Sequence, residues 1–155
     1  MESSESLRYS MRRFPLGVVV VTTTWGERPV GMTVNTFNSV SLNPPTVMFI
    51  ADKSKGNDVP FRESKKFAVN FVDSEEILRV FSITPVQKRF EVVKYREEEG
   101  IPVLIDSYAY IKAMRREVID VEDHAIIVGE VLEVKTIREA KPLVYYMSEY
   151  RELCL

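Results

Sequence analysis

Apolar and β-branched positions fall in short runs separated by turn residues along most of the chain. Residues 17–24 (GVVVVTTT) form a β-branched run that ends at Trp25-Gly26-Glu27-Arg28, which predicts a strand followed by a hairpin turn. Residues 29–36 (PVGMTVNT) then return as a second strand. TVMFIAD (46–52) follows the stiff turn Asn43-Pro44-Pro45 and is apolar at successive positions, as expected of a strand buried on both faces. KFAVNFVD (66–73) alternates Phe67, Val69 and Phe71 with Lys66, Ala68 and Asn70, and 108–120 and 124–137 predict two long strands. Helical signals are fewer. Leu7, Met11 and Phe14 share helical spacing in 5–14, Ser74 is placed to cap EEILRVFSI, and 86–99 read as helical or partly so up to Gly100-Ile101-Pro102. The aromatic tail 142–153 is expected to pack back on the body. Six or seven strands with hairpin-like connections, not repeated β-α units, predict a mainly β, antiparallel barrel with a few short helices, in one domain over 1–155.

Composition narrows the chemistry more than the fold. The chain has 155 residues, 45% hydrophobic and 28% charged, with 21 Lys+Arg against 23 Asp+Glu. That balance lacks the basic footprint of a nucleic-acid binder. No apolar run approaches a membrane span, and the start MESSES lacks the basic and apolar regions of a signal peptide. The expectation is a cytoplasmic protein with no membrane or nucleic-acid partner. One histidine and one cysteine leave no set for a Cys/His zinc site, and no metal is expected. His124 is the only imidazole for a catalytic dyad, and Asp123 beside it is expected to point to the opposite face, as strand neighbours do. The glycines contain no G-x-G-x-x-G. Gly26 and Gly31 have P-loop spacing, but Met32 stands where the phosphate-binding Lys would be.

The densest polar segment is GMTVNTFNSVSLNPP (31–45), in which seven side chains carry a hydroxyl or amide. Read on its own, it is either a pair of capped β-turns or an edge that offers short donors to a flat, polar-rimmed ligand. It resembles the G-M-T-[AV]-[NS]-[ST]-F-x-S-V-S-L-x-P-P signature of the flavin reductase-like family. These are short reductases of two-component flavin monooxygenases, such as the 4-hydroxyphenylacetate 3-monooxygenases. GVVVVTT (17–23), KFAVNFVD, EDHAIIVGEV (122–131) and PLVYYMSEY (142–150) are similar to further family blocks, in the same order. The resemblance covers most of residues 12–150.

What it implies is an FMN-binding split β-barrel, normally a homodimer. It would bind FMN or FAD and oxidise NADH, less readily NADPH, and a separate flavin-dependent monooxygenase would receive the reduced flavin. Carried over, Met32, Thr33, Val34, Asn35 and Thr36 line the flavin ring, and Ser39 and Ser41 shape the same pocket. Lys53, Ser54 and Lys55 are candidates for the flavin phosphate, with Lys88, Arg89 and Phe90 as a second group; a solvated turn and a solvated helix face are the alternatives. His124 lies by the nicotinamide and the flavin ring, either favouring charge on the flavin or positioning the nicotinamide; the alternative is a structural histidine. Tyr146, Met147, Ser148 and Tyr150 cover the nicotinamide, or else Tyr145, Tyr146 and Tyr150 form a core or dimer contact. One departure is Glu122, where the family has Gly before Asp-His. A side chain there is expected to force a different turn. Met114, where many relatives have Cys, reads as packing. Two other classes remain compatible: a non-reductase flavoprotein on the same barrel, and a non-catalytic interaction barrel.

Overall fold

The computed structural model describes all 155 residues. Helix α1 (Ser4–Met11), capped by the Ser3 hydroxyl, leads into the short strand β1 (Leu16–Gly17). Strands β2 (Val19–Trp25) and β3 (Arg28–Val34) form the expected hairpin, with Gly26 and Glu27 at φ of 57° and 65°. This is the left-handed pair that a tight two-residue turn requires. β4 (Asn38–Leu42) and β5 (Pro45–Asp52) form a second hairpin. The polar segment 31–45 is therefore the end of one strand, a connection, and a whole further strand, not a pair of turns. β5 alternates fully buried and half-buried positions, so only one of its faces is deep core.

The short helix α2 (Val59–Glu63) precedes β6 (Lys66–Phe71), and α3 (Glu75–Ile83) begins where Ser74 accepts a hydrogen bond from the Ile77 N–H. Residues 86–99 are helical only in their first half, the second of the two readings. They form a 3-10 turn (Val86–Lys88), the four-residue α4 (Arg89–Val92), and β7 (Tyr95–Glu98), which pairs with β8 (Ile101–Leu104). Glu99 and Gly100, at φ of 54° and 80°, close this hairpin. Glycine in that conformation ends a helix and suits a two-residue turn equally well, and strand pairing decides between them. Two thirteen-residue strands, β9 (Ala109–Val121) and β10 (His124–Thr136), follow, and β11 (Leu143–Tyr146) and β12 (Glu149–Glu152) make a terminal hairpin that joins β1.

The main sheet has seven antiparallel strands in the order β3-β2-β6-β9-β10-β5-β4. It curls around a core that places Met32 and Val34 of β3 with Phe49 and Ala51 of β5, although β3 and β5 do not pair. The barrel is thus split between them. The Thr36 hydroxyl spans the split, donating to the Ile50 carbonyl at 3.0 Å and accepting from the Ile50 N–H at 2.9 Å. A second core lies on the other face of β2, where Val18 and Val20 meet Leu78 and Phe81 of α3. Asn70 ties these layers together. Its buried amide donates to the Val20 carbonyl and accepts from the Leu104 N–H.

Gly129 of β10 is set by close packing. A Cβ there would lie 2.6 Å from the Phe67 ring, well inside contact distance. Gly129→Ala is expected to destabilise the chain by about 1–3 kcal/mol, measured as a lower urea midpoint. An unchanged midpoint would mean that Phe67 can move aside.

Candidate functional site

A cleft of about 350 Å³ opens at the split. Met32, Thr33, Val34, Asn35 and Thr36 form one wall; Ile50, Ala51 and Asp52 of β5, with His124, form the other. Tyr145 and Tyr150 close it from the terminal hairpin, their rings 5.3 Å apart. The Thr33 hydroxyl is already committed to the Leu78 carbonyl at 2.7 Å, and Thr36 to Ile50. These two hydroxyls fix the wall, and Asn35 is its remaining polar side chain.

His124 begins β10 opposite Asp52 on one side and Val121 on the other. Its phase puts it on the face of Ile126 and Val128, away from buried Ala125 and Ile127, as the alternation predicts. The expectation for Asp123 is corrected: its carboxylate lies 2.8 Å from His124 Nδ1. Asp123 belongs to the β9–β10 turn, where strand alternation does not apply. Glu122 corrects a second expectation. It adopts φ of 50° itself, so the turn keeps the left-handed conformation in which a glycine rests without strain. Glu122→Gly should raise stability by about 0.5–1 kcal/mol and leave the Asp123–His124 contact in place. A thermal melt checks this, and a lower melting temperature would mean that the Glu122 side chain contributes more than its backbone costs.

Asp52 and Asn57 are cleft residues that the motif reading passed over. The Ser54 N–H and hydroxyl both donate to the Asp52 carboxylate at 2.7 Å and hold it below the usual carboxylate range. Ser54 therefore serves Asp52 and does not face an open site. Lys53 is also turned away. Its Nζ lies 3.4 Å from Asp120, which Arg62 also binds at 2.6 Å.

A smaller hollow of about 140 Å³ adjoins the cleft, and Met32 and Asn57 line both. Lys55 and Arg89 reach it. Arg89 is 9% exposed, donating Nε to the Thr84 carbonyl and Nη1 to the Gly31 carbonyl, each at 2.8 Å. Burial pushes its pKa down, and no carboxylate acts against that. A buried cation without an anion is costly, and a cavity at its side is where an anionic group would offset that cost. Lys88 is exposed and lies outside both cavities. Phe90 packs edge-on against Phe81 and Tyr95, with centroids 5.1 and 4.9 Å away.

The remaining candidates lie elsewhere. Ser39 and Ser41 sit on β4, which pairs with Pro45–Met48 at the start of β5, whereas the cleft is built from the end of that strand. In the tail, Tyr145 and Tyr150 are cross-strand partners and face the cleft together, so Tyr146 faces away. Met147 and Ser148, at φ of 52° and 64°, are the central residues of the hairpin turn. Of the four tail candidates, the structure brings only Tyr150 to the cleft.

Comparison with known proteins agrees with this architecture. Residues 11–154 match the model of the flavin reductase like domain. The crystal structure of the flavin reductase HpaC complexed with NADP+ is 54% identical, with a TM-score of 0.95 over 97% of this chain and 98% of that one. The FMN reductase (NADH) SmoA of Agrobacterium fabrum is 37% identical over 145 residues, 93% of this chain and 83% of its own. The reductase subunit HsaB of a flavin-dependent monooxygenase from Rhodococcus jostii is 31% identical, covering 92% of this chain and 74% of its own. With that match over nearly its whole length and a split barrel whose open seam forms the cleft, the chain belongs to the flavin reductase-like family of NAD(P)H-dependent enzymes.

Proposed function

We propose that the chain reduces free FMN or FAD with NADH or NADPH and releases the product to a separate monooxygenase that hydroxylates an aromatic substrate. The observation that carries the placement is the unpaired, buried Arg89 in a hollow continuous with the cleft. Arg89, with Lys55 beside it, suits a flavin phosphate, while the wall Met32–Thr36 suits the edge of a flat ring. When both are bound, the nicotinamide supplies a hydride and the flavin accepts it.

The residues align and shield these rings. Tyr145 and Tyr150 provide an apolar lid, and burial pushes the Tyr150 phenol pKa up, which keeps it neutral beside the reacting rings. Asp123 holds the imidazole of His124 at Nδ1, and a donating Nδ1–H leaves Nε2 as the free ring nitrogen. Protonated, that nitrogen would donate and steady negative charge on the reduced flavin; unprotonated, it would accept from the nicotinamide amide and position it. Close ring alignment accounts for much of the rate.

A homodimer fits the outer surface. Val40 and Leu42 of β4, Ile119 and Val121 of β9, and Leu132 and Val134 of β10 are exposed apolar side chains on the main sheet. Helix α1 buries none of its residues, and Leu7 and Met11 are exposed apolar side chains on it. A second copy would cover such surface. Light scattering should give twice the chain mass, and a monomer at micromolar concentration would reject the dimer.

The test of activity is anaerobic. Purified protein is mixed with NADH or NADPH and with FMN, FAD or riboflavin, and loss of flavin absorbance is followed. Rapid bleaching by catalytic amounts of protein is expected. Flavin binding without bleaching by either donor would move the chain to the non-reductase flavoproteins. In the same assay Lys55→Ala should weaken FMN more than riboflavin, while Lys53→Ala, paired with Asp120, should change neither.

A further inference from the structure

Arg62 and Asp120 line neither the cleft nor the hollow, yet they join the two segments that supply Lys55, Asn57 and His124. One segment is the loop 53–58 between β5 and α2. The other is the β9–β10 turn at Glu122 and Asp123, which delivers His124.

The near end of the loop is fastened by main chain. The Lys53 N–H donates to the Asp123 carbonyl at 2.9 Å, and the Asn57 N–H donates to the Asp52 carbonyl at 3.2 Å. The far end is fastened by side chains. Asp58 is 5% exposed, and its carboxylate accepts from Arg62 Nε at 3.1 Å. The same guanidinium grips Asp120, next to the last residue of β9, with Nη1 at 3.2 Å and Nη2 at 2.6 Å. An exposed ion pair contributes little by itself. Here the planar fork is held from its buried side by Asp58, so its outer edge is already fixed where it meets Asp120. Lys53 Nζ adds a longer contact to Asp120 at 3.4 Å. Lys55, Gly56 and Asn57 therefore span two anchors, and both anchors are tied to the strand end and turn that lead into His124.

We infer that Arg62 and Asp120 are positioning residues for flavin reduction: their bracket holds the phosphate side of the cleft and the His124 side in one rigid frame. This rests on the placement of the flavin phosphate at Lys55 and of the reacting rings beside His124. A loop released at its far end would carry Lys55 away from the phosphate. A turn released at its β9 side would let the imidazole drift from the rings. Misplacing a reacting group by about 1 Å costs up to ~100-fold in rate, and the bracket restrains a smaller drift than that.

Asp120→Ala is the variant that tests the bracket. It leaves the buried Asp58–Arg62 pair whole, so the chain should fold, whereas Arg62→Met would strand a buried carboxylate and lose stability for that reason alone. The readouts are anaerobic single-turnover bleaching with NADH or NADPH at saturating flavin, equilibrium titration with FMN and with riboflavin, and a thermal melt. The rate and the FMN affinity should each fall about 3–10-fold, with riboflavin affinity nearly unchanged. Asp120→Glu, which returns a carboxylate to Arg62, should recover most of both. In a Lys55→Ala background, Asp120→Ala should cost no further FMN affinity, because it acts through Lys55. As a control, Arg116→Ala breaks an exposed pair between β9 and β10, Arg116 to Glu130 at 2.7 Å, and should change neither quantity. An Asp120→Ala variant that only melts lower, with rate and flavin preference intact, overturns the inference. So does a loss of FMN affinity that adds in full to that of Lys55→Ala. In both cases the flavin reading stands; if the unaltered chain bleaches no flavin, that reading fails and the inference with it.

Discussion

Arg89→Met is expected to lower the affinity for FMN by about 10–100-fold and that for riboflavin by much less. The range follows from a hydrogen bond to a charged group, worth about 1.5–3 kcal/mol. Riboflavin lacks the phosphate, so the difference between the two ligands isolates the charge. The side chain has a second task, since two of its nitrogens satisfy the carbonyls of Thr84 and Gly31. The variant should therefore also lose about 1–3 kcal/mol of stability, because two buried acceptors lose their donor. Arg89→Lys separates the two effects. It keeps the charge and recovers part of the FMN preference, but it cannot reach both carbonyls and hold the planar geometry of a guanidinium. Fluorescence titration with FMN and riboflavin, alongside urea unfolding, decides the matter. Equal weakening of both ligands would remove the phosphate from Arg89.

His124→Ala should slow flavin reduction at least ~10-fold, about 1.4 kcal/mol of barrier, with flavin affinity largely kept. The imidazole is near half exposed and carries no part of the core, so the variant should fold. Asp123→Asn is the companion measurement. It keeps a side chain of the same shape in the turn but removes the charge that steadies Nδ1. A positioning role predicts a smaller fall in rate than for His124→Ala, with flavin affinity kept. Single-turnover bleaching under anaerobic conditions measures both. An unchanged rate for His124→Ala would reject the catalytic role. An unchanged rate for Asp123→Asn would leave Asp123 as a turn residue only.

Much of this protein was decided locally and could be read from the chain. The hairpin at Trp25–Arg28, the alternation of 66–71 and the Ser74 cap depend on neighbours within a few residues, and each is present. The phase of His124 along β10 was equally legible, because alternation holds wherever a strand does. The block resemblance gave the family and one wall of the cleft, since Met32–Thr36 are contiguous and line it together.

What the chain alone could not reveal depends on pairings far apart in sequence. Residues 86–99 read as helical or partly so, and the helix stops at Val92 because β8 pairs with Tyr95–Glu98 as a strand, backbone pairing outweighing a weak local preference. Asp123 reached His124 because the pair straddles the border between a turn and a strand, a boundary that alternation does not locate. Lys53, Lys55, Lys88 and Arg89 are all basic residues near a plausible phosphate, and composition ranks them equally. Only the fold pairs Lys53 with Asp120, leaves Lys88 in solvent, and buries Arg89 without an anion beside the split. The sequence by itself determined a set of strands and a family of chemistry. The tertiary structure decided which charges are spent on the protein and which remain for a ligand, because that depends on desolvation and on partners brought together from distant parts of the chain.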